Sequence, residues 1–175
     1  MGNLEQAMNV RIRGFEVVAD AHRTAFDIFT DEKGKKVQFP KDIRLPKRAD
    51  KRSAGYDFYL PKDITLLPKQ KMLIFLDVKA YMEKDEVLEL YIRSSLAVKQ
   101  GIMLSNNVGI VDSSYYSNDG NDGNIGISLV NTSGVTVELK AGERIVQGIF
   151  KKYLTVDNEE VLNDERNGGI GSSGK

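Results

Sequence analysis

Apolar residues in this chain come in short runs, and turn-forming residues stop nearly all of them. NVRIRGFEVV alternates apolar and polar side chains as a half-buried strand does. Later come AGYDFYL, ITLLP, KMLIFLDVKAYM, VLELYIRSS, GIMLSNNVGIVDSSYY, IGISLVN, VTVELKAGE and RIVQGIFKKYLTV, separated by Gly, Pro, Asn and Asp. Interruptions every roughly 8–12 residues are the spacing of sandwiches and barrels and leave no room for long helices. FDIF and VQF around DEKGKK predict a short hairpin. Only SSLAVKQG and the segment around Arg23 suggest a helical turn or two. No period repeats and no linker intervenes. One all-β domain is expected, a sandwich or a jelly-roll-like double sheet. With 175 residues, 41% of them apolar, one hydrophobic core is attainable without disulfides or metals.

Charge and rare residues narrow the chemistry. Lys+Arg and Asp+Glu number 25 each, which argues against a generic nucleic-acid binder. The absence of cysteine excludes disulfide scaffolds, thiol nucleophiles and Cys-based zinc sites. His22 is the one histidine, so mechanisms needing two imidazoles fall away. What remains is carboxylates, hydroxyls, Arg/Lys or a hard metal ion. No run approaches the roughly 18 apolar residues of a membrane span. MGNLEQAMNVRIRGF lacks a signal peptide's apolar stretch, so a cytoplasmic protein without a membrane partner is expected.

Four stretches could carry that chemistry, each with a plainer alternative. Asp57 in AGYDFYL is a site carboxylate, or it marks a strand edge or turn. Arg93, Ser94 and Ser95 in YIRSSLAVKQG form a phosphate cradle, or a helix N-cap beside a surface Arg. In GIVDSSYYSNDGNDGNIGISLVN, Asp112 leaves an apolar strand three residues before Tyr115 and is placed as a general base. The plainer reading is a hairpin with a long solvated loop. DGNDG lacks the full calcium-loop pattern, so an EF-hand is rejected. AGERIVQGIF reads as a hairpin turn with a surface ion pair. The terminal NDERNGGIGSSGK is by composition a flexible tail.

In order and spacing, these stretches resemble the five motifs of the homotrimeric dUTPase family (deoxyuridine triphosphate nucleotidohydrolases) of bacterial or phage type. AGYDFYL is similar to the first motif, RSSLAVKQGI to the second and NNVGIVDSSY to the third. GERIVQGIF is similar to the fourth and RNGGIGSSG to the fifth. The match runs from Ala54 to Gly174.

The resemblance implies a jelly-roll-like homotrimer with sites between subunits and the C-terminal tail of one subunit exchanged over the site of others. It divides the chain into a single domain over residues 1–162 and a lid over 163–175. The implied reaction is hydrolysis of dUTP to dUMP and pyrophosphate. Asp112 would deprotonate the water that attacks the α-phosphorus, and Tyr115 would leave no room for a 2′-hydroxyl. Asn106 and Gly109 fall in the uracil-reading hairpin. Arg93, Ser94, Ser95 and Gln147 match phosphate contacts. Arg166, Ser172 and Ser173 match tail residues that grip the γ-phosphate. Asp57 would hold a water on Mg²⁺, the implied cofactor.

Three departures stand out. Ile170 occupies the position of a fifth-motif aromatic that stacks on uracil, and Tyr116 could supply a ring instead. SNDGNDGN lengthens the third motif. The charged lead-in, residues 20–49, is longer than the family's. Residues 20–49 and 117–124 are therefore candidate contacts for a regulator protein, as in some phage members. The nearest alternative is dCTP deaminase, a relative on the same fold. Its catalytic Glu would fall in the strand that here reads IGISLVN, which has none.

Overall fold

In the computed structural model, residues 10–30 and 32–159 are described, and the chain turns at the Gly, Asn and Asp clusters noted above. The charged first part supplies β1 (Gly14–Val17), β2 (Phe26–Thr30), β3 (Lys36–Pro40) and β4 (Lys47–Arg48). Next come β5 (Tyr56–Tyr59), β6 (Ile64–Leu66), β7 (Lys71–Phe75), β8 (Val78–Tyr81) and β9 (Glu86–Ile92). Helix α1 (Ser94–Gln100) falls where SSLAVKQG predicts it. Then β10 (Ile102–Leu104), β11 (Gly109–Asp112), β12 (Gly126–Asn131), β13 (Val137–Leu139) and β14 (Arg144–Lys152) complete an all-β fold. Among the described residues no helix is long and apolar enough to cross a membrane.

The largest sheet has the order β11-β9-β14-β5-β4, and a second has the order β10-β12-β7. Alternation does the sorting. Ile127 and Leu129 of β12 turn inward while Ser128 and Val130 are partly exposed. Phe58, Leu88, Leu90 and Val146 of the first sheet share one core with Ile74, Ile127, Leu129 and Ile102 of the second. Each such fully buried side chain contributes about 1.5–3 kcal/mol. Gly148 permits the closest approach in β14: a Cβ there would lie 2.7 Å from the Phe58 ring and 2.9 Å from Leu88.

KMLIFLDVKAYM is not one strand. Asp77 breaks it with a left-handed backbone (φ 56). Before the break β7 pairs with β12, and beyond it β8 pairs with β1. The Asp77 carboxylate is fully buried. It accepts hydrogen bonds from Thr24 N–H, Thr24 Oγ1, Ala25 N–H and Asn124 Nδ2, all at 2.9–3.0 Å. Four donors thus answer a carboxylate whose burial would be costly without partners.

Residues 20–49 are thereby fastened to the body. They comprise a 3-10 turn at Asp20–His22, the β2–β3 hairpin and β4, which joins the sheet beside β5. The third-motif insertion also differs from a long solvated loop. Asn118 Nδ2 donates to the Tyr115 carbonyl at 2.8 Å, and Asn118 Oδ1 accepts from the Gly120 and Asn121 N–H groups. The Asp122 carboxylate accepts from Lys79 Nζ at 2.8 Å and from Ala19 N–H at 2.7 Å. Burial opposes ionisation of Asp122, but the Lys79 ammonium and the Ala19 N–H outweigh it and hold its carboxyl below the ordinary range.

Candidate active site

Asp57 lies in the interior of the large sheet rather than at an edge or turn. Across its strand it faces Gln147 of β14 and Lys47 of β4, and Gln147 faces Tyr91 of β9. Residues in register share a sheet face, so these polar groups form one row. Asp57 is buried, and its two oxygens each meet an arginine. Arg93 Nε lies 3.2 Å from Oδ1, and Arg144 Nη1 lies 3.1 Å from Oδ2. One carboxylate thus holds two guanidiniums side by side that would otherwise repel.

Both arginines line a cleft of about 550 Å³. Arg44, Lys47 and Arg48 join them there from the segment preceding β5, with Ser95 at the start of α1. Arg44 also stacks 3.9 Å above the Tyr59 ring. Five cationic side chains face two carboxylates, Asp57 and Glu143, so the cleft suits a polyanion. Arg93 itself takes the N-cap position of α1, with extended backbone. No side chain caps the helix, so the hydroxyls of Ser94 and Ser95 are not used as caps.

A second cavity, of about 240 Å³, has a different character. Leu73, Leu90, Ile110, Val111 and Ile125 wall it, and Asn106, Tyr115 and Ser128 supply polar groups. Gly109 and Gly126 expose backbone there. Apolar walls with few polar groups suit a planar ring. Tyr115 is buried; its hydroxyl donates to the Asn124 carbonyl at 2.9 Å and accepts from Asn121 Nδ2 at 2.7 Å. Asp112 ends β11 one residue beyond Val111 and is exposed. Among the described residues of one chain, the cleft and the cavity share no lining residue.

The sequence model of the dUTPase family matches residues 41–174. A deoxyuridine 5′-triphosphate nucleotidohydrolase of Lactococcus lactis is 37% identical over 166 residues, covering 94% of this chain and 99% of its own. The chain belongs to the dUTPase family. The enzyme class that goes with it is dUTP diphosphatase. A dUTPase crystal structure from Streptococcus mutans superposes with a TM-score of 0.67 at 38% identity, covering 83% of this chain and 99% of that one. The dUTPase of Staphylococcus bacteriophage 80alpha shares the fold, with a TM-score of 0.64 at 19% identity, over 89% of this chain and 99% of that one.

Within the dUTPase frame, the motif residues sort into two groups. Asp57, Arg93 and Ser95 line the cleft, whereas Asn106, Gly109 and Tyr115 line the cavity. Gln147 stands beside Asp57 in the polar row, and Ser94 precedes Ser95. Arg166, Ile170, Ser172 and Ser173 lie outside the described residues. Tyr116 does not supply a ring to either cavity. Its hydroxyl donates to Glu16 at 2.5 Å and its ring packs on Tyr81.

Arg44, Lys47, Arg48 and Arg144 were not among the residues the sequence singled out. The basic run RLPKRADKR just before AGYDFYL was the signal for the first three, and the family match begins early enough to include it, while Arg144 is the arginine of GERIVQGIF. The lead-in is also less unusual than its length suggests, since the Lactococcus relative covers nearly the whole chain.

Among the described residues no three His, Asp or Glu could cage a metal. Asp57 already accepts from two arginines. That donor set fits a hard cation that keeps its waters and rests on phosphate oxygens.

Proposed function

We propose that this chain hydrolyses dUTP to dUMP and pyrophosphate by attack of water on the α-phosphorus. The observation that carries the mechanism is the division of the site. A cation-rich cleft holds Asp57, Arg93 and Arg144, and a separate ring-sized cavity has Asp112 at the end of its strand. A nucleoside triphosphate needs both, and copies of the chain in a homotrimer would bring the cleft of one subunit to the cavity of another.

In that assembly the cavity takes deoxyuridine. Asn106 and the backbone at Gly109 meet the uracil edge, and the Tyr115 ring lies where a 2′-hydroxyl would need space. Arg93, with Ser94, Ser95 and Gln147, fixes the phosphate chain, and Arg144 adds charge against it. Asp112 orients the attacking water and takes its proton. Asp57 would hold a Mg²⁺-bound water. When bound, the ion supplies charge that offsets what develops at phosphorus. Residues 163–175 act as the lid, with Arg166, Ser172 and Ser173 on the γ-phosphate and Ile170 over the base.

Asp112→Asn tests the base. The variant is expected to bind dUTP and to lower kcat by about a thousandfold or more, within the range for loss of general-base catalysis. Near-normal turnover would remove Asp112 from that role.

The deaminase alternative finds no support in β12, whose cavity-lining residues are Gly126 and Ser128 rather than a Glu. For a regulator protein, the exposed β2–β3 hairpin, with Ile28 outward, is the better surface. The 117–124 segment is engaged internally.

A further inference from the structure

A tyrosine that excludes a 2′-hydroxyl by its bulk must not yield. Its ring turns about two torsions, so something has to hold the far end. In this chain the Tyr115 hydroxyl is held twice, by donating to the Asn124 carbonyl and by accepting from Asn121 Nδ2. Both partners come from the third-motif insertion or its end.

Asn121 is itself fixed. Its Oδ1 accepts from Asn118 Nδ2 at 2.9 Å and from Gly123 N–H at 3.2 Å, and its Nδ2 also reaches the Asn124 carbonyl at 3.2 Å. Gly123 has φ +74, and a Cβ there would lie 2.8 Å from the Tyr115 carbonyl oxygen and 2.9 Å from Ser117 N. A glycine there therefore lets the loop pass close to the Tyr115 backbone while gripping its hydroxyl. Lys79 and Ala19 brace the loop through Asp122, and Asp77 braces it through Asn124.

We propose that Asn121 is a positioning residue that locks the Tyr115 ring and thereby sets the preference for a 2′-deoxynucleotide over a ribonucleotide. The insertion is then the brace of the sugar gate. This inference rests on the dUTP-hydrolase reading above. It adds a residue that touches no substrate and acts only through Tyr115.

The test compares kcat/KM for dUTP and for UTP in the wild type, Asn121→Ala, Tyr115→Phe and the double variant. Tyr115→Phe keeps the ring and frees its end. Asn121→Ala is expected to lower the dUTP:UTP preference roughly tenfold, the scale of one lost buried hydrogen bond, and Tyr115→Phe, which loses two, at least as much. The loss should come chiefly from improved use of UTP. The double variant should discriminate no worse than Tyr115→Phe alone, because removing the hydroxyl already removes the bond from Asn121. An unchanged preference in a folded Asn121→Ala, or additive losses, would overturn the proposal. If melting shows that Asn121→Ala is unfolded, Tyr115→Phe decides, and an unchanged preference there is equally fatal. Wild-type protein that turns over no dUTP would bring down the hydrolase reading first, and the inference with it.

Discussion

Asp57 and Glu86 are both buried carboxylates answered by arginine, yet only one was visible in advance. Asp57 sits in a motif, AGYDFYL, whose resemblance marks it. Its second partner, Arg144, lies 87 residues away, and no local pattern joins the two. Glu86 was not singled out at all, because it ends the charged run EKDE just before VLELYI and reads as a surface turn residue. Glu86 accepts from Arg13 Nη2 at 2.5 Å and Nε at 3.0–3.1 Å, and from the Glu83 N–H at 3.2 Å. These bonds, Arg13's first, outweigh burial and hold its carboxyl below the ordinary range. A depressed folded value stabilises the fold fully above the unfolded value, about 4.3 for Glu. That stability is lost as pH falls through the folded value. Glu86→Gln is therefore expected to melt below wild type at pH 7. The gap should close as pH drops below about 4. Melting temperatures across pH 3–8 check this, and a gap constant with pH would contradict it.

At the scale of elements, periodicity located most strands because alternation survives in a double sheet with one wet face. It failed at KMLIFLDVKAYM, where a single Asp in an apolar run looks like a tolerated strand residue. What breaks the strand is the set of donors from Thr24, Ala25 and Asn124, about 50 residues distant in chain. The same distance hid the packed state of SNDGNDGN, whose Asn and Gly composition reads as solvated. Asp77→Ala strips the acceptor from four donor contacts at the join of lead-in and body, and leaves a Cβ residue with no side-chain oxygen at a left-handed position. A loss of about 3 kcal/mol or more is expected from denaturant midpoints. A change under about 0.5 kcal/mol, the size of an ordinary surface effect, would show that this corner does not secure the lead-in.

At the scale of the whole molecule, the proposed function calls for more than one chain. The cleft is rich in cations and the cavity has mostly apolar walls, and none of the described residues lines both. Motif order in sequence singled out candidate residues, but not that they fall into two places. That division emerges only when β5, β9 and β14 gather one group while β11 and β12 gather the other. Co-expression of Asp112→Asn with Arg93→Ala is a direct consequence. Neither variant alone should turn over dUTP appreciably. Hybrid trimers, in which an intact cavity meets an intact cleft at about a quarter of sites for equal random mixing, should recover activity. No recovery would place both residues in a site within one subunit. The central claim itself is tested by hydrolysis of dUTP, UTP, dCTP and dTTP in isotopically labelled water with Mg²⁺. The expected result is turnover of dUTP in strong preference, with the heavy oxygen in dUMP and none in pyrophosphate. Label in pyrophosphate, release of inorganic phosphate, or deamination of dCTP would contradict it.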